Sequence, residues 1–164
     1  MDCDGVLTDG RITLLTGGDE QKTFHVRDGQ GLVLLHRAGL RSGIISGRSS
    51  GLVDRRAKEL GIEYVRQGTL NKIEDFKEIL EQAGTALEET AFVGDDVTDV
   101  PLMMRVGFAI AVADAVPETK KVAHLVTKAK GGKGAVREVT DLILQTQGNW
   151  QELMKQYFDI KQIN

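Results

Sequence analysis

The sequence alternates short apolar runs with segments of helical periodicity, and this alternation limits the possible folds more than any other feature. The clearest helix spans residues 72–83. Its apolar positions follow the period of roughly 3.6 residues typical of a half-buried helix: Ile73, Phe76, Ile79, Leu80 and Ala83. Strand-like runs that alternate with helices predict a parallel sheet with helices on both faces. We therefore expect an α/β, doubly wound, Rossmann-like fold without a large cap domain.

Further elements follow from the same patterns. Helices are predicted over residues 30–37, 50–60, 102–106, 116–122, 135–144 and 150–158. Strands are predicted over residues 42–46, 62–65, 90–93, 108–112 and 124–126. Residues 12–15 and 23–26 are expected to pair as a β-hairpin around Gly17-Gly18-Asp19, which is a turn signal. A single domain over residues 1–164 is predicted, with a hairpin flap at about 11–27 and a C-terminal tail at about 148–164.

Composition excludes several classes of function. The 164 residues fit one domain, and the 41% of hydrophobic residues supply its core. A net charge of −3 provides no basic surface for nucleic acid. There is no apolar run of about 18 residues to span a membrane and no signal-peptide pattern. The single cysteine, Cys3, leaves no internal disulfide and fits a reducing compartment, so we expect a cytoplasmic protein.

The stretch from Met1 to Gly10 carries the strongest chemical signal. Asp2 and Asp4 lie two residues apart, so in an extended segment their side chains point the same way. Gly5 then permits a sharp turn. Of two such carboxylates, one can attack or bind a metal while the other moves a proton. Only Met1 precedes Asp2, so a first strand ending there is either a true stub or shortened because the natural start lies further upstream, and we favour the second interpretation.

More polar residues follow the other predicted strands, where a parallel sheet binds its ligands. They are Ser46, Lys72, Asp95, Asp96 and Asp99. Carboxylates suit Mg²⁺, which also takes phosphate oxygens, while a hydroxyl and an ammonium donate to a phosphoryl group. Taken singly, Ser46 could be a helix cap, Lys72 a solvated helix residue and Asp95-Asp96 a turn. The segment Gly131-Gly132-Lys133-Gly134 lacks the spacing of a phosphate-binding loop and is expected to be flexible.

The ordered motifs resemble those of the haloacid dehalogenase superfamily. They are Asp2-x-Asp4-Gly5-Val6-x-Thr8-Asp9-Gly10, Ser46, Lys72 and Gly94-Asp95-Asp96-x-x-Asp99. Within that superfamily the chain is similar to the phosphatases of 3-deoxy-D-manno-octulosonate 8-phosphate, from Asp2 to about Gly148. That similarity is carried by Phe24-x-Val26-Arg27-Asp28-Gly29, Ile45-x-Gly47-Arg48, Val112-Ala113-Asp114-Ala115 and the Gly131–Glu138 segment.

The resemblance implies a role for each matching residue. Asp2 would be the nucleophile and a Mg²⁺ ligand, Asp4 the general acid/base whose backbone carbonyl also binds Mg²⁺, and Asp95 the other carboxylate on the metal. Ser46 and Lys72 would hold the phosphoryl oxygens, with Asp96 and Asp99 supporting the metal. The implied contacts with a sugar acid, some from a neighbouring subunit, are His25, Val26, Arg27, Asp28, Gly29, Gly47, Arg48, Arg56 and Lys72.

The implied activity is hydrolysis of a sugar-acid phosphate, a small-molecule substrate, in lipopolysaccharide precursor synthesis, with Mg²⁺ as cofactor. Two departures bear on the substrate: His25 stands where this subfamily commonly has Asn, and Lys133 where it often has Arg. The alternatives are a phosphatase for a nine-carbon sugar acid phosphate and a phospho-accepting signalling domain, which has no acid/base at the position of Asp4. Without a cap, the site is expected to be roofed by a neighbouring subunit, in a homo-oligomer that the resemblance implies is a tetramer.

Overall fold

The computed structural model describes residues 1–158, so the last six residues of the expected tail, 159–164, lie outside the described part. The strands are β1 (Thr13–Leu14), β2 (Glu20–Gln21), β3 (Gly43–Ser46), β4 (Tyr64–Gln67), β5 (Ala91–Gly94), β6 (Phe108–Ala111) and β7 (Leu125–Val126). The helices are α1 (Val26–Arg37), α2 (Gly51–Leu60), α3 (Lys72–Ala83), α4 (Val100–Met103), α5 (Pro117–Val122), α6 (Ala135–Thr146) and α7 (Trp150–Phe158), with a 3₁₀ turn at Leu87–Glu89.

Met1 and Asp2 join two groups of parallel strands. β3 pairs with β4, and β6 lies between β5 and β7, all parallel. The Ile45 N–H donates to the Met1 carbonyl (3.0 Å), and the Asp2 N–H donates to the Val93 carbonyl (2.9 Å). The order across the sheet is therefore β4, β3, residues 1–2, β5, β6 and β7. Asp2 consequently sits near the middle of the sheet, although only Met1 precedes it.

The helices form two groups, as a doubly wound sheet requires. α1 packs against α6 and α2, whereas α4 packs against α3 and α5. The predicted α/β fold class is confirmed, and no inserted cap domain interrupts residues 1–158. The rings of Phe76 and Phe92 meet edge to face at 6.4 Å in the core between α3 and β5. In residues 1–158, no helix has both the length and the apolar character needed to cross a bilayer.

The C-terminal helix α7 has its own small core. Leu153 of α7 is buried with Leu34 and Leu144, and Trp150 packs on the same cluster. At the other end of α7, the Tyr157 hydroxyl accepts a 2.6 Å hydrogen bond from Arg37 Nη1. The predicted tail helix is thus confirmed over its whole length, Trp150–Phe158, and is docked on α1 and α6.

The hairpin differs from the prediction in its second strand. Thr13 pairs with Gln21 and Leu14 with Glu20, so the partner strand is β2 and not residues 23–26. Residues 23–26 instead lead into α1, which begins four residues earlier than the apolar pattern indicated. The early turns of α1 contain two glycines, which disfavour a helix by propensity. Packing requires them, because a Cβ on Gly29 would lie 2.4 Å from Arg56 Nη2 and one on Gly31 would lie 2.3 Å from Thr140 Oγ1.

The glycine cluster at 131–134, expected to be flexible, is packed against the first motif. The Gly132 N–H donates to the Val6 carbonyl at 2.8 Å. A Cβ on Gly131 would lie 1.6 Å from the Gly5 carbonyl oxygen. The Gly131 N–H in turn donates to Asp114 Oδ1 at 2.9 Å. These close approaches between backbones explain the glycines, which a sequence pattern alone cannot distinguish from a linker.

Candidate active site

The polar residues predicted from the strand ends converge on one cavity of about 400 Å³. Ser46 is the last residue of β3, Asp95 directly follows β5, and Lys72 is the first residue of α3. Asp2 lies just before the turn that leaves the centre of the sheet, and Asp4 lies within it. All five of these residues line the cavity, together with Asp96, Gly47 and Arg48. The site thus lies at the carboxyl edge of the parallel sheet, where this architecture binds its ligands.

Three carboxylates cluster here: Asp2 and Asp95 line the cavity, and Asp99 is buried beside them. Asp2, Asp95 and Asp99 each place one oxygen within 4.8 Å of the other two. Burial, reinforced by the charges of Asp2, Asp99 and Asp96, raises the pKa of Asp95 to about 8. Burial also raises the pKa of Asp2, although the nearby Lys72 ammonium opposes it. Because the repulsion would be relieved by a divalent cation, and hard oxygen ligands suit Mg²⁺, the residues fit a magnesium site.

Lys72 bridges two of these carboxylates. Its Nζ donates to Asp2 Oδ1 and to Asp99 Oδ1, each at 2.7 Å. Burial alone would lower the pKa of Lys72, but the two carboxylates outweigh it and raise that pKa. Lys72 therefore stays an ammonium at the cavity wall, which is the charge state needed to hold an anionic phosphoryl group.

Asp99 has no free oxygen left for other partners among the described residues. Its Oδ1 accepts from Lys72, while its Oδ2 accepts from the backbone N–H groups of Asp95 (2.9 Å) and Asp96 (3.4 Å). Asp99 is fully buried, whereas Asp96 is exposed and accepts a 2.6 Å hydrogen bond from the Val97 N–H. This geometry suits the predicted supporting role of Asp99, because it fixes the loop that presents Asp95.

Gly5 brings the first turn against Asp95. Its φ of +99° lies in the left-handed region that favours glycine. A Cβ at this position would lie 2.0 Å from Asp95 Oδ2. The glycine that follows Asp4 is therefore required for two reasons, its backbone conformation and the close approach of a carboxylate.

Asp4 is held by cations on both of its oxygens. Lys22 Nζ and Thr8 Oγ1 (3.3 Å) donate to Oδ1, and Arg48 Nε lies 3.7 Å from Oδ2. Arg48 also donates from Nη2 to Glu20 Oε2 at 3.1 Å. The hairpin region thus reaches the site through Glu20 and Lys22.

Sequence reasoning missed both Glu20 and Lys22. A signal was available, since residues two apart in an extended segment point the same way, which places these two opposite charges on one side of the strand.

Ser46, by contrast, is found where it was predicted. It is buried, and its Oγ accepts a 3.4 Å hydrogen bond from the Arg48 N–H.

The remaining predicted sugar contacts lie away from the cavity of this chain. They are His25, Val26, Arg27, Asp28, Gly29 and Arg56. Asp28 is buried and accepts from the backbone N–H groups of Arg137 (2.8 Å) and Gly134 (3.1 Å), so its carboxylate holds the N-terminus of α6. Arg56 lies 5.8 Å from the Phe24 ring centroid. A substrate contact for these residues stays a prediction that needs a neighbouring subunit.

Comparisons with known proteins point to one group of enzymes. A family model of haloacid dehalogenase-like hydrolases matches residues 62–139. The 3-deoxy-D-manno-octulosonate 8-phosphate phosphatase of Escherichia coli K12 is 45% identical over 152 residues, which cover 93% of this chain and 81% of that enzyme. The enzyme of the same name from Moraxella catarrhalis, solved with magnesium, phosphate and KDO, superposes with a TM-score of 0.93 at 41% identity, covering 96% of this chain and 90% of that one. The cobalt-bound deoxy-D-mannose-octulosonate 8-phosphate phosphatase of Haemophilus influenzae superposes with a TM-score of 0.87 at 43% identity. The match covers 90% of this chain and 86% of that one.

Proposed function

Because the chain belongs to the haloacid dehalogenase-like hydrolases, we propose that it is a Mg²⁺-dependent phosphatase that hydrolyses 3-deoxy-D-manno-octulosonate 8-phosphate. The observation that carries this proposal is the meeting of Asp2, Lys72 and Asp95 in one cavity, with Asp4 two residues from Asp2. The chain is a phosphoric monoester hydrolase by this assignment, and its place is in lipopolysaccharide precursor synthesis. The relatives named above do not favour a nine-carbon substrate or a signalling domain.

The metal would be held by Asp2 and Asp95, whose oxygens already lie together, and by the backbone carbonyl of Asp4. A Mg²⁺ ion bound there would neutralise the charge on the phosphoryl oxygens. Lys72 and Ser46, which line the same cavity, would donate to the same oxygens. The raised pKa of Asp95 supports this assignment, since the carboxylate lacks a compensating positive charge of its own.

The reaction has two steps at phosphorus. An Asp2 carboxylate oxygen attacks, a bond forms between that oxygen and phosphorus, and the bond from phosphorus to the sugar oxygen breaks. Asp4 gives its proton to the departing sugar oxygen. Water then attacks the phosphorus of the aspartyl-phosphate and gives its proton to Asp4. The bond to Asp2 breaks, so inorganic phosphate leaves and both aspartates return to their starting states.

We propose that the working form is a cytoplasmic homotetramer. A buried free cysteine, Cys3, suits a reducing compartment. The hairpin and the cavity rim expose large apolar side chains, with Leu14 77%, Val26 76% and Leu70 fully accessible, as expected of surfaces that a second copy covers. Light scattering tests this, and an active monomer would contradict it.

The decisive experiment is a phosphate-release screen across sugar-acid phosphates with Mg²⁺ present. We expect the eight-carbon 8-phosphate to give the highest kcat/KM, above the nine-carbon 9-phosphate. Asp4→Asn should lose about 100-fold or more in kcat, the usual contribution of general acid–base catalysis. Glu81→Gln, which removes an exposed carboxylate of α3, is the control and should match the unmodified protein. Full activity in Asp4→Asn would exclude the mechanism.

A further inference from the structure

Lys22 is an unusually buried lysine for a residue next to an exposed hairpin. Only 2% of its side chain is accessible, although β1 and most of the turn before it are exposed. A buried ammonium is costly unless it is paired with a charge of opposite sign. Among the described residues its hydrogen-bond partner is Asp4, through Oδ1. Lys22 does not line the cavity, and its hydrogen bond to a cavity-lining residue is the one to Asp4.

The two oxygens of Asp4 have different surroundings. Oδ1 accepts from Lys22 and from the Thr8 hydroxyl, and Thr8 Oγ1 is itself fixed by the Gly10 N–H at 3.2 Å. Oδ2 has no hydrogen bond from the described residues and lies 3.7 Å from Nε of Arg48, a cavity-lining residue. Donors on Oδ1 leave no room for a proton there, so Oδ2 is the oxygen that can carry one toward the cavity.

We propose that Lys22 is a positioning residue of the reaction, which clamps Asp4 Oδ1 so that Oδ2 performs both proton transfers. This inference rests on the proposed function, in which Asp4 is the general acid/base. In the first step the proton leaves Oδ2 for the sugar oxygen as its bond to phosphorus breaks. In the second, Oδ2 takes a proton from the water that attacks the aspartyl-phosphate. The Lys22 ammonium gains and loses no proton in either step.

A double-mutant cycle tests this, because a residue that acts only through Asp4 has nothing left to position once Asp4 is replaced. Lys22→Met should lower kcat on the eight-carbon sugar-acid phosphate by about 10- to 100-fold, the cost of a misplaced catalytic group, with KM changed less than about three-fold. In an Asp4→Asn background the same substitution should cost less than about two-fold. Lys58→Met, which removes an exposed lysine of α2, is the matched control.

Equal losses in the two backgrounds, a loss confined to KM, or unchanged kcat would each overturn the inference. Thermal melts with and without Mg²⁺ establish that each variant folds and binds the metal, and Lys22→Gln takes the place of Lys22→Met if the latter does not fold. A chain that releases no phosphate from any sugar-acid phosphate would contradict the proposed substrate alone. The cycle is then read with p-nitrophenyl phosphate, whose leaving group needs no proton, so the same criteria decide the role of Lys22 in the second step, where Oδ2 takes a proton from water.

Discussion

Asp2 and Asp95 come from opposite halves of the chain, yet their carboxylate oxygens approach within 4.8 Å at the edge of the sheet. Asp2 is placed by the backbone hydrogen bonds that insert residues 1–2 between β3 and β5. Asp95 is placed by Asp99, which accepts its backbone N–H. Two acidic groups so close are both ionised only with positive charge beside them, which Lys72 supplies in part and a divalent cation would complete.

Removal of the metal should abolish activity. We expect EDTA to stop phosphate release and added Mg²⁺ to restore it, because Asp2 and Asp95 then regain the cation that compensates their charges. Asp95→Asn should need a much higher Mg²⁺ concentration for half-maximal activity. Titration of Mg²⁺ in the phosphate-release assay measures both effects, and activity that persists in EDTA would contradict the metal assignment.

Stability without metal should depend on pH through Asp95. Its pKa is raised to about 8 in the folded chain, against 3.8 for an ordinary aspartate, so the folded state binds more protons than the unfolded state between these values. Stability of the metal-free protein should therefore fall as pH rises from about 4 to 8. Mg²⁺ competes with that proton, so its stabilising effect should grow over the same range. Urea unfolding with EDTA or with Mg²⁺, at pH 6 and at pH 8, measures this, and an equal Mg²⁺ effect at both pH values would argue against it.

Lys72→Met should cost at least about 100-fold in kcat, in the range seen when a group that stabilises transition-state charge is removed. The substitution also leaves the buried carboxylates of Asp2 and Asp99 without their 2.7 Å partner, which should lower the free energy of unfolding of the metal-free chain. Lys77→Met on the same helix removes a lysine whose 3.0 Å pair with Glu74 is exposed, and should leave both kcat and stability nearly unchanged. Steady-state kinetics and urea unfolding of the two variants make the comparison.

Gly5→Ala should impair metal binding beyond its effect on the backbone. The substitution places a Cβ 2.0 Å from Asp95 Oδ2 in a left-handed conformation. Gly84→Ala is the matched control, since Gly84 also has a positive φ (+61°) but nothing lies within 4 Å of its added Cβ. Both variants should lose about 1 kcal/mol of stability from backbone strain. Only Gly5→Ala should lose the Mg²⁺-dependent rise in Tm, and a normal rise in that variant would show that Asp95 can move aside.

Much of the site was predictable because its residues follow strands. Ser46 ends a strand, Asp95 directly follows one and Lys72 begins a helix, each at a boundary marked by a change of hydrophobic period, and topology then brings strand ends together. Lys22 and Asp28 were harder to predict. Lys22 lies in a segment whose pairing was misassigned by several residues, and Asp28 has its backbone partner 109 positions away at Arg137. A carboxylate that caps a distant helix has the same sequence pattern as one that contacts substrate.

The hydrogen bond from Gly132 to Val6 has a consequence for biosynthesis. The acidic turn at residues 2–5 is translated before the backbone at Gly132 that packs against it. A nascent chain therefore makes this contact only once Gly132 has left the exit tunnel. Until then the turn that carries Asp4 lacks this backbone support.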